Sequence, residues 1–145
     1  MPAFVDHVRI RFAHVDPAGI VFYARYFEII NMVLEDWFRD GIGQDFGILN
    51  ERDRVGIPLL HIEADFMKPS FLNDVVEFRL TVAKMGRSSF TVNYEAWLGD
   101  ELRLKIQAVH AFVHLVQRKS VPIPDVVRER MKAFVAAPDG ETRST

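Results

Sequence analysis

One long stretch of this chain has the periodicity of a helix, and nearly everything after it has the periodicity of a strand. From about Phe22 to Arg39 the apolar residues Tyr23, Tyr26, Phe27, Ile29, Ile30, Val33, Leu34, Trp37 and Phe38 recur at helical spacing. Only Arg25, Glu28, Asn31, Glu35, Asp36 and Arg39 dilute that stripe, which predicts a helix covered by other structure on most of its sides. Gly41 is the predicted stop. After an irregular stretch from Gly41 to Gly56, alternating patterns take over. Leu60, Ile62, Ala64 and Phe66 form the first, Val76, Phe78, Leu80 and Val82 the second, and Phe90, Val92, Tyr94 and Ala96 the third. A two-residue turn at Gly99-Asp100 then leads into a long strand over roughly Glu101 to Val116. These strands read as a meander. Upstream, Val8, Ile10 and Phe12 alternate with Arg9 and Arg11 as one more half-buried strand, and a short helix is expected near Asp125 to Phe134. A length of 145 residues with 49% hydrophobic content is enough for one core. The expected class is α+β: an antiparallel sheet curled around one long helix, as a single domain over residues 1–135. Residues 136–145 contain Pro, Gly, Asp, Glu, Arg, Ser and Thr and are expected to form a flexible tail.

Composition narrows the function. A net charge of -2 gives no general electrostatic reason to bind nucleic acid or an anionic membrane. With no cysteine there is neither a disulfide nor a thiol nucleophile. No basic region followed by an apolar run opens the sequence, so a cytoplasmic location is the expectation. No apolar run approaches the roughly 18 residues that a spanning helix needs. There is no Gly-x-Ser-x-Gly elbow and no phosphate loop. His110 and His114 are the one pair that invites a metal reading. They fall in a strand pattern, where four residues span roughly 13 Å, so no metal is expected.

What remains is a carboxylate ahead of the helix. In Asp16-Pro17-Ala18-Gly19-Ile20-Val21-Phe22-Tyr23 the order Asp, Pro, x, Gly suits a type I turn. The turn ends where the first backbone N–H groups of the helix and the positive end of its dipole face outward. An acid beside such a space could act on a substrate whose oxygen becomes negative. Equally, Asp16 could simply close the turn or cap the helix. His14, two residues earlier, is a supporting candidate.

The same run resembles the signature of the 4-hydroxybenzoyl-CoA thioesterase family of hotdog-fold proteins. Val8-Arg9-Ile10-Arg11-Phe12, Tyr26-Phe27-Glu28, Val55-Gly56-Ile57-Pro58 and Arg87-Ser88-Ser89-Phe90 follow in the family's order, so the resemblance covers roughly residues 5–117. It implies a hotdog fold, an acyl-CoA substrate hydrolysed to free acid and CoA, and no cofactor. It also implies a homodimer, with a homotetramer as a further association. By the same resemblance Asp16 attacks the thioester carbonyl or activates water, and the backbone N–H of Tyr23 polarises the carbonyl oxygen. Phe27, Asn31, Ile57, Pro58 and Leu59 match positions around the acyl group, and Arg87, Ser88 and Ser89 match positions that meet the CoA phosphates. Lys68 is a weaker candidate for the same anion.

Each of these residues also has a plainer reading, since Phe27, Ile57 and Leu59 suit a core and Arg-Ser-Ser suits a solvated hairpin. One position departs from the family. Asn31 stands where the hydroxybenzoyl-specific enzyme has a carboxylate, which replaces a charge-assisted hydrogen bond with a neutral one. The aromatic residue expected after the helix has its nearest counterpart in Phe46. An aromatic acyl group is the favoured substrate class. The alternatives are an aliphatic acyl-CoA, an acyl-carrier-protein substrate, or a non-catalytic acyl-CoA-binding protein.

Overall fold

The computed structural model describes residues 3–136. Strands β1 (Phe4–Arg9), β3 (Leu59–Phe66), β4 (Val75–Met85), β5 (Ser89–Leu98) and β6 (Glu101–Ala111) form one antiparallel sheet in the order β1-β4-β5-β6-β3. The short strands β2 (Val55–Gly56) and β7 (Val113–His114) pair separately. The helix α1 (Tyr23–Asp36) lies on one sheet face, and α2 (Asp125–Met131) closes one end of the domain. The core follows from the two periodicities. Ile29, Ile30, Val33 and Leu34 of α1 are buried with Phe78, Leu80, Val92, Leu104 and Ile106 in one cluster. The α+β class and the sheet packed against one long helix agree with expectation.

Several details differ. Only β4, β5 and β6 form a meander, because β3 lies beyond β6 at the far edge. Alternation reports which face a residue occupies and carries nothing about strand order. The first strand runs from Phe4 to Arg9, earlier than Val8 to Phe12. At Arg11 the chain turns into a 3-10 segment (Phe12–His14), whose closure is the His14 ring Nδ1 accepting the Arg11 N–H at 2.8 Å. Phe12 is consequently 82% exposed.

The long helix continues past Asp36 as a wider π turn (Trp37–Ile42) and ends at Gly43, which has φ 81°. Gly41 does not stop it. A Cβ there would stand 2.7 Å from Trp37 Cδ1 and 3.1 Å from Phe134 Cζ, so Gly41 makes room for two packed rings. Nor is the helix covered on most sides: Glu28, Asn31, Met32 and Glu35 form an exposed face. The Gly99-Asp100 hairpin is present, with Gly99 at φ 63°. Most of the tail expected over residues 136–145 lies outside the described residues. Ala136 itself donates its N–H to the Val82 carbonyl at 3.0 Å.

Candidate active site

The Asp16 turn is a small hairpin held by its own backbone. The Asp16 carbonyl accepts the Gly19 N–H at 2.9 Å, and the Asp16 N–H donates to the Ile20 carbonyl at 2.9 Å. Gly19 sits at φ 82°, a conformation that favours glycine. One carboxylate oxygen of Asp16, Oδ1, accepts the Ala18 N–H at 2.8 Å. The hairpin brings the chain straight back: Val15 bridges Val21, and the Phe22 N–H donates to the His14 carbonyl at 3.0 Å. Helix α1 starts at the next residue. Its N-cap Phe22 supplies no side-chain cap and its first turn contains no acid, so nothing in the first turn competes for the helix's outward N–H groups, and Asp16 is half-buried in the hairpin that leads into it.

His14 is committed to the backbone, since its Nδ1 accepts the Arg11 N–H and the ring proton therefore belongs on Nε2. Burial and, secondarily, the Arg11 charge lower its pKa, which keeps the ring neutral at pH 7. Beneath the turn runs the segment Met67 to Asp74. Ser70, fully buried, accepts the Val21 N–H through its carbonyl at 2.9 Å, and the Leu72 N–H donates to the Gly19 carbonyl at 3.2 Å. Periodicity singled out neither Ser70 nor its neighbour Arg103, because both act through loop contacts that no repeat announces.

The aromatic rings of Tyr23 and Phe66 meet edge to face at 6.4 Å, with Tyr26 6.0 Å from Phe66. The end of β3 therefore lies against the start of α1. Phe27 packs partly into the core, while Asn31 is exposed on the outer helix face.

The remaining residues lie elsewhere. Ile57, Pro58 and Leu59 stand at the opposite end of β3, whose length separates Leu59 from Phe66 by roughly 23 Å. Ile57 is partly buried, whereas Pro58 and Leu59 are exposed. The hairpin Arg87-Ser88-Ser89 is at that same far end, as the pairings Phe90↔His110 and Leu59↔His110 require. Helix α2 docks this hairpin, with Arg128 Nη2 donating to the Gly86 carbonyl at 2.6 Å and the Ile123 N–H donating to the Arg87 carbonyl at 2.9 Å. The Arg87 side chain is exposed, and Ser88 and Ser89 are half-buried. Within one chain, then, Asp16 and the start of α1 lie at the same end of the sheet, joined by the Val15–Val21 bridge and the Phe22–His14 hydrogen bond. The fold does not bring them to Ile57, Pro58 and Leu59 or to Arg87, Ser88 and Ser89.

His110 faces the core, where its ring stacks on Phe90 at 5.4 Å. Burial lowers its pKa against the pull of the nearby Ile57 and Pro58 carbonyls. His114 Nδ1 accepts the Val116 and Gln117 N–H groups at 3.2 and 3.1 Å, closing a turn. Lys68 pairs with Glu101 at 2.8 Å. Phe46 packs on Phe38 at 5.4 Å between ring centroids.

Comparison with known proteins places this geometry. A family model, the thioesterase-like superfamily, matches residues 10–131. A 1,4-dihydroxy-2-naphthoyl-CoA hydrolase from Synechococcus elongatus is 26% identical over 121 residues, covering 83% of this chain and 88% of its own. The crystal structure of a 1,4-dihydroxy-2-naphthoyl-CoA thioesterase from Synechocystis superposes with a TM-score of 0.82 at 21% identity, covering 90% of this chain and 96% of that one. A gentisyl-coenzyme A thioesterase structure has a TM-score of 0.79 at 22% identity, with 89% and 99% covered. The chain belongs to the thioesterase-like superfamily and is a hotdog-fold thioester hydrolase.

Proposed function

We propose that the protein hydrolyses an aromatic acyl-CoA to the free acid and CoA, with Asp16 as the catalytic carboxylate. The observation that carries this reading is the hairpin that sets Asp16 beside the open N-terminus of α1. The thioester carbonyl oxygen points at the Tyr23 N–H, where the helix end offsets the negative charge that develops there. On one route an Asp16 oxygen bonds to the carbonyl carbon, the C–S bond breaks, and thiolate leaves to take a proton from solvent. Water then cleaves the mixed anhydride, releasing the acid and restoring Asp16. On the other, Asp16 takes a proton from water as the water oxygen attacks, then returns it to the departing thiolate. A single turnover in 18O-labelled water that leaves label in Asp16 establishes the anhydride route, with water attacking the Asp16 carbonyl carbon of the anhydride; the other route never labels Asp16.

An aromatic acyl group is supported by the relatives above, which are named for 1,4-dihydroxy-2-naphthoyl-CoA and gentisyl-CoA. Asn31 offers a neutral amide to a ring hydroxyl or carbonyl.

The site is completed by a second copy. Among the described residues β3 is an unpaired edge bearing exposed Leu59, Leu60 and Phe66, which supports pairing with the same strand of another chain. An antiparallel two-fold pairing lays the Leu59 end of one β3 against the Phe66 end of the other. Asp16 and Tyr23 then meet the partner's Ile57, Pro58 and Leu59, with the partner's Arg87, Ser88 and Ser89 beyond them for the CoA phosphates.

The test is thiol release from benzoyl-, hydroxybenzoyl-, phenylacetyl- and aliphatic acyl-CoAs, with wild type and Asp16→Asn side by side. Turnover of an aromatic member that collapses in the variant is the expected result. Preference for aliphatic donors contradicts the substrate class, and undiminished turnover in Asp16→Asn contradicts the role of the carboxylate.

A further inference from the structure

We propose that Arg103 is a positioning residue for the Asp16 turn and the start of α1, an inference that rests on the reading of Asp16 given above. Strands β5 and β6 pair one to one as far as Ala96↔Leu104, but the next pair is Trp97↔Leu102. Arg103 is thus the extra residue of a β-bulge, a device that frees a backbone group from the ladder and re-aims a side chain. Both consequences here fall on one target. The Arg103 carbonyl accepts the N–H groups of Met67 and Lys68 at 2.9 and 3.1 Å. Its side chain, only 11% exposed, donates through Nη1 to the Pro69 carbonyl at 2.7 Å and to Ser70 Oγ at 3.3 Å, and pairs with the carboxylates of Asp74 and Glu101.

The gripped segment is the platform on which the Asp16 hairpin rests. Ser70 holds the Val21 N–H, Ile20 bridges Phe71, and the Leu72 N–H holds the Gly19 carbonyl. Asp74, paired with Arg103, accepts the Phe71 N–H at 2.9 Å. Ser70 also lies against the Tyr26 phenol in the first turn of α1. A single guanidinium is therefore one residue removed from both Asp16's turn and the helix start that carries the Tyr23 N–H. The planar fork suits this task, because its donors leave in fixed directions toward a carbonyl, a hydroxyl and two carboxylates. Removing it leaves these groups without their partner and releases the platform, and a displacement of about 1 Å at reacting groups costs on the order of 10²-fold in rate.

The test compares wild type, Arg103→Met, Arg103→Lys and Asp16→Asn by amide hydrogen exchange and by steady-state thioester hydrolysis. In Arg103→Met the Val21 and Leu72 amides are expected to exchange at least about 10-fold faster while the central β5–β6 amides keep their protection. The same variant is expected to lose roughly 10- to 100-fold in kcat with KM for acyl-CoA within about twofold, and Arg103→Lys to recover part of both losses. Unchanged Val21 and Leu72 amides overturn the proposal, and so does an equal loss of protection across the whole sheet. Released amides with kcat intact overturn it when Asp16→Asn abolishes turnover. If Asp16→Asn leaves turnover untouched, the reading of Asp16 fails instead, and the exchange data alone decide what Arg103 holds. Should Arg103→Met not fold, Arg103→Lys supplies the same comparison at smaller amplitude.

Discussion

In the proposed mechanism Asp16 divides its carboxylate between two tasks: Oδ1 fixes the turn through the Ala18 N–H, and the second oxygen would serve the substrate. The two tasks separate by mutation. Asp16→Asn keeps an acceptor for Ala18, so its Tm should stay near wild type while kcat falls about 10²- to 10⁴-fold. Asp16→Ala should lose the same activity and a further ~1 kcal/mol of stability, read by thermal denaturation. Elsewhere in the chain, the Asp6 carboxylate is shifted upward. Burial, then the hydrogen bond and charge of neighbouring Asp36, push Asp6 up to about 6, with Asp40 adding to the rise and His7 opposing it. The folded chain therefore holds a proton that the unfolded chain gives up between pH 3.8 and about 6, and stability falls as pH rises through that window. Asp6→Asn removes this dependence. Its Tm should exceed wild type by a few degrees at pH 7.5, the difference closing below about pH 4, and a difference independent of pH would count against the shared proton.

At the scale of elements, repeating patterns were legible and special contacts were not. Val92, Tyr94 and Ala96 alternate because a strand with one buried face must alternate, and the Gly99-Asp100 hairpin is written in the residues that turn there. The helix end was misplaced because Gly41 and Gly43 look alike in sequence. Only packing shows that Gly41 yields space to Trp37 and Phe134, while Gly43 takes the left-handed backbone. The distinction is measurable. Gly41→Ala should destabilise by about 1–3 kcal/mol through overpacking, seen as a lower midpoint in denaturant with unchanged slope. The bulge at Arg103 was equally hidden, since Leu102, Leu104 and Ile106 read as unbroken alternation and the extra residue appears only against β5. The Asp16 turn was legible for the opposite reason: its glycine and the helix after it are contiguous in the chain.

For the molecule as a whole, the decisive fact is a separation. Asp16 and Tyr23 lie at one end of the sheet, and Leu59 and Arg87 lie at the other, across the roughly 33 Å length of β4. One chain cannot close that distance; the proposed two-fold partner would close it by symmetry. Hybrid dimers made by mixing Asp16→Asn with Arg87→Glu test this most directly. Each parent alone should be nearly inactive at acyl-CoA concentrations below KM. In a random mixture half the dimers are hybrids, each with one intact site, so about a quarter of wild-type activity should return. Activity that stays at the level of the weaker parent, in a sample shown to contain hybrids, would contradict a site shared between two chains.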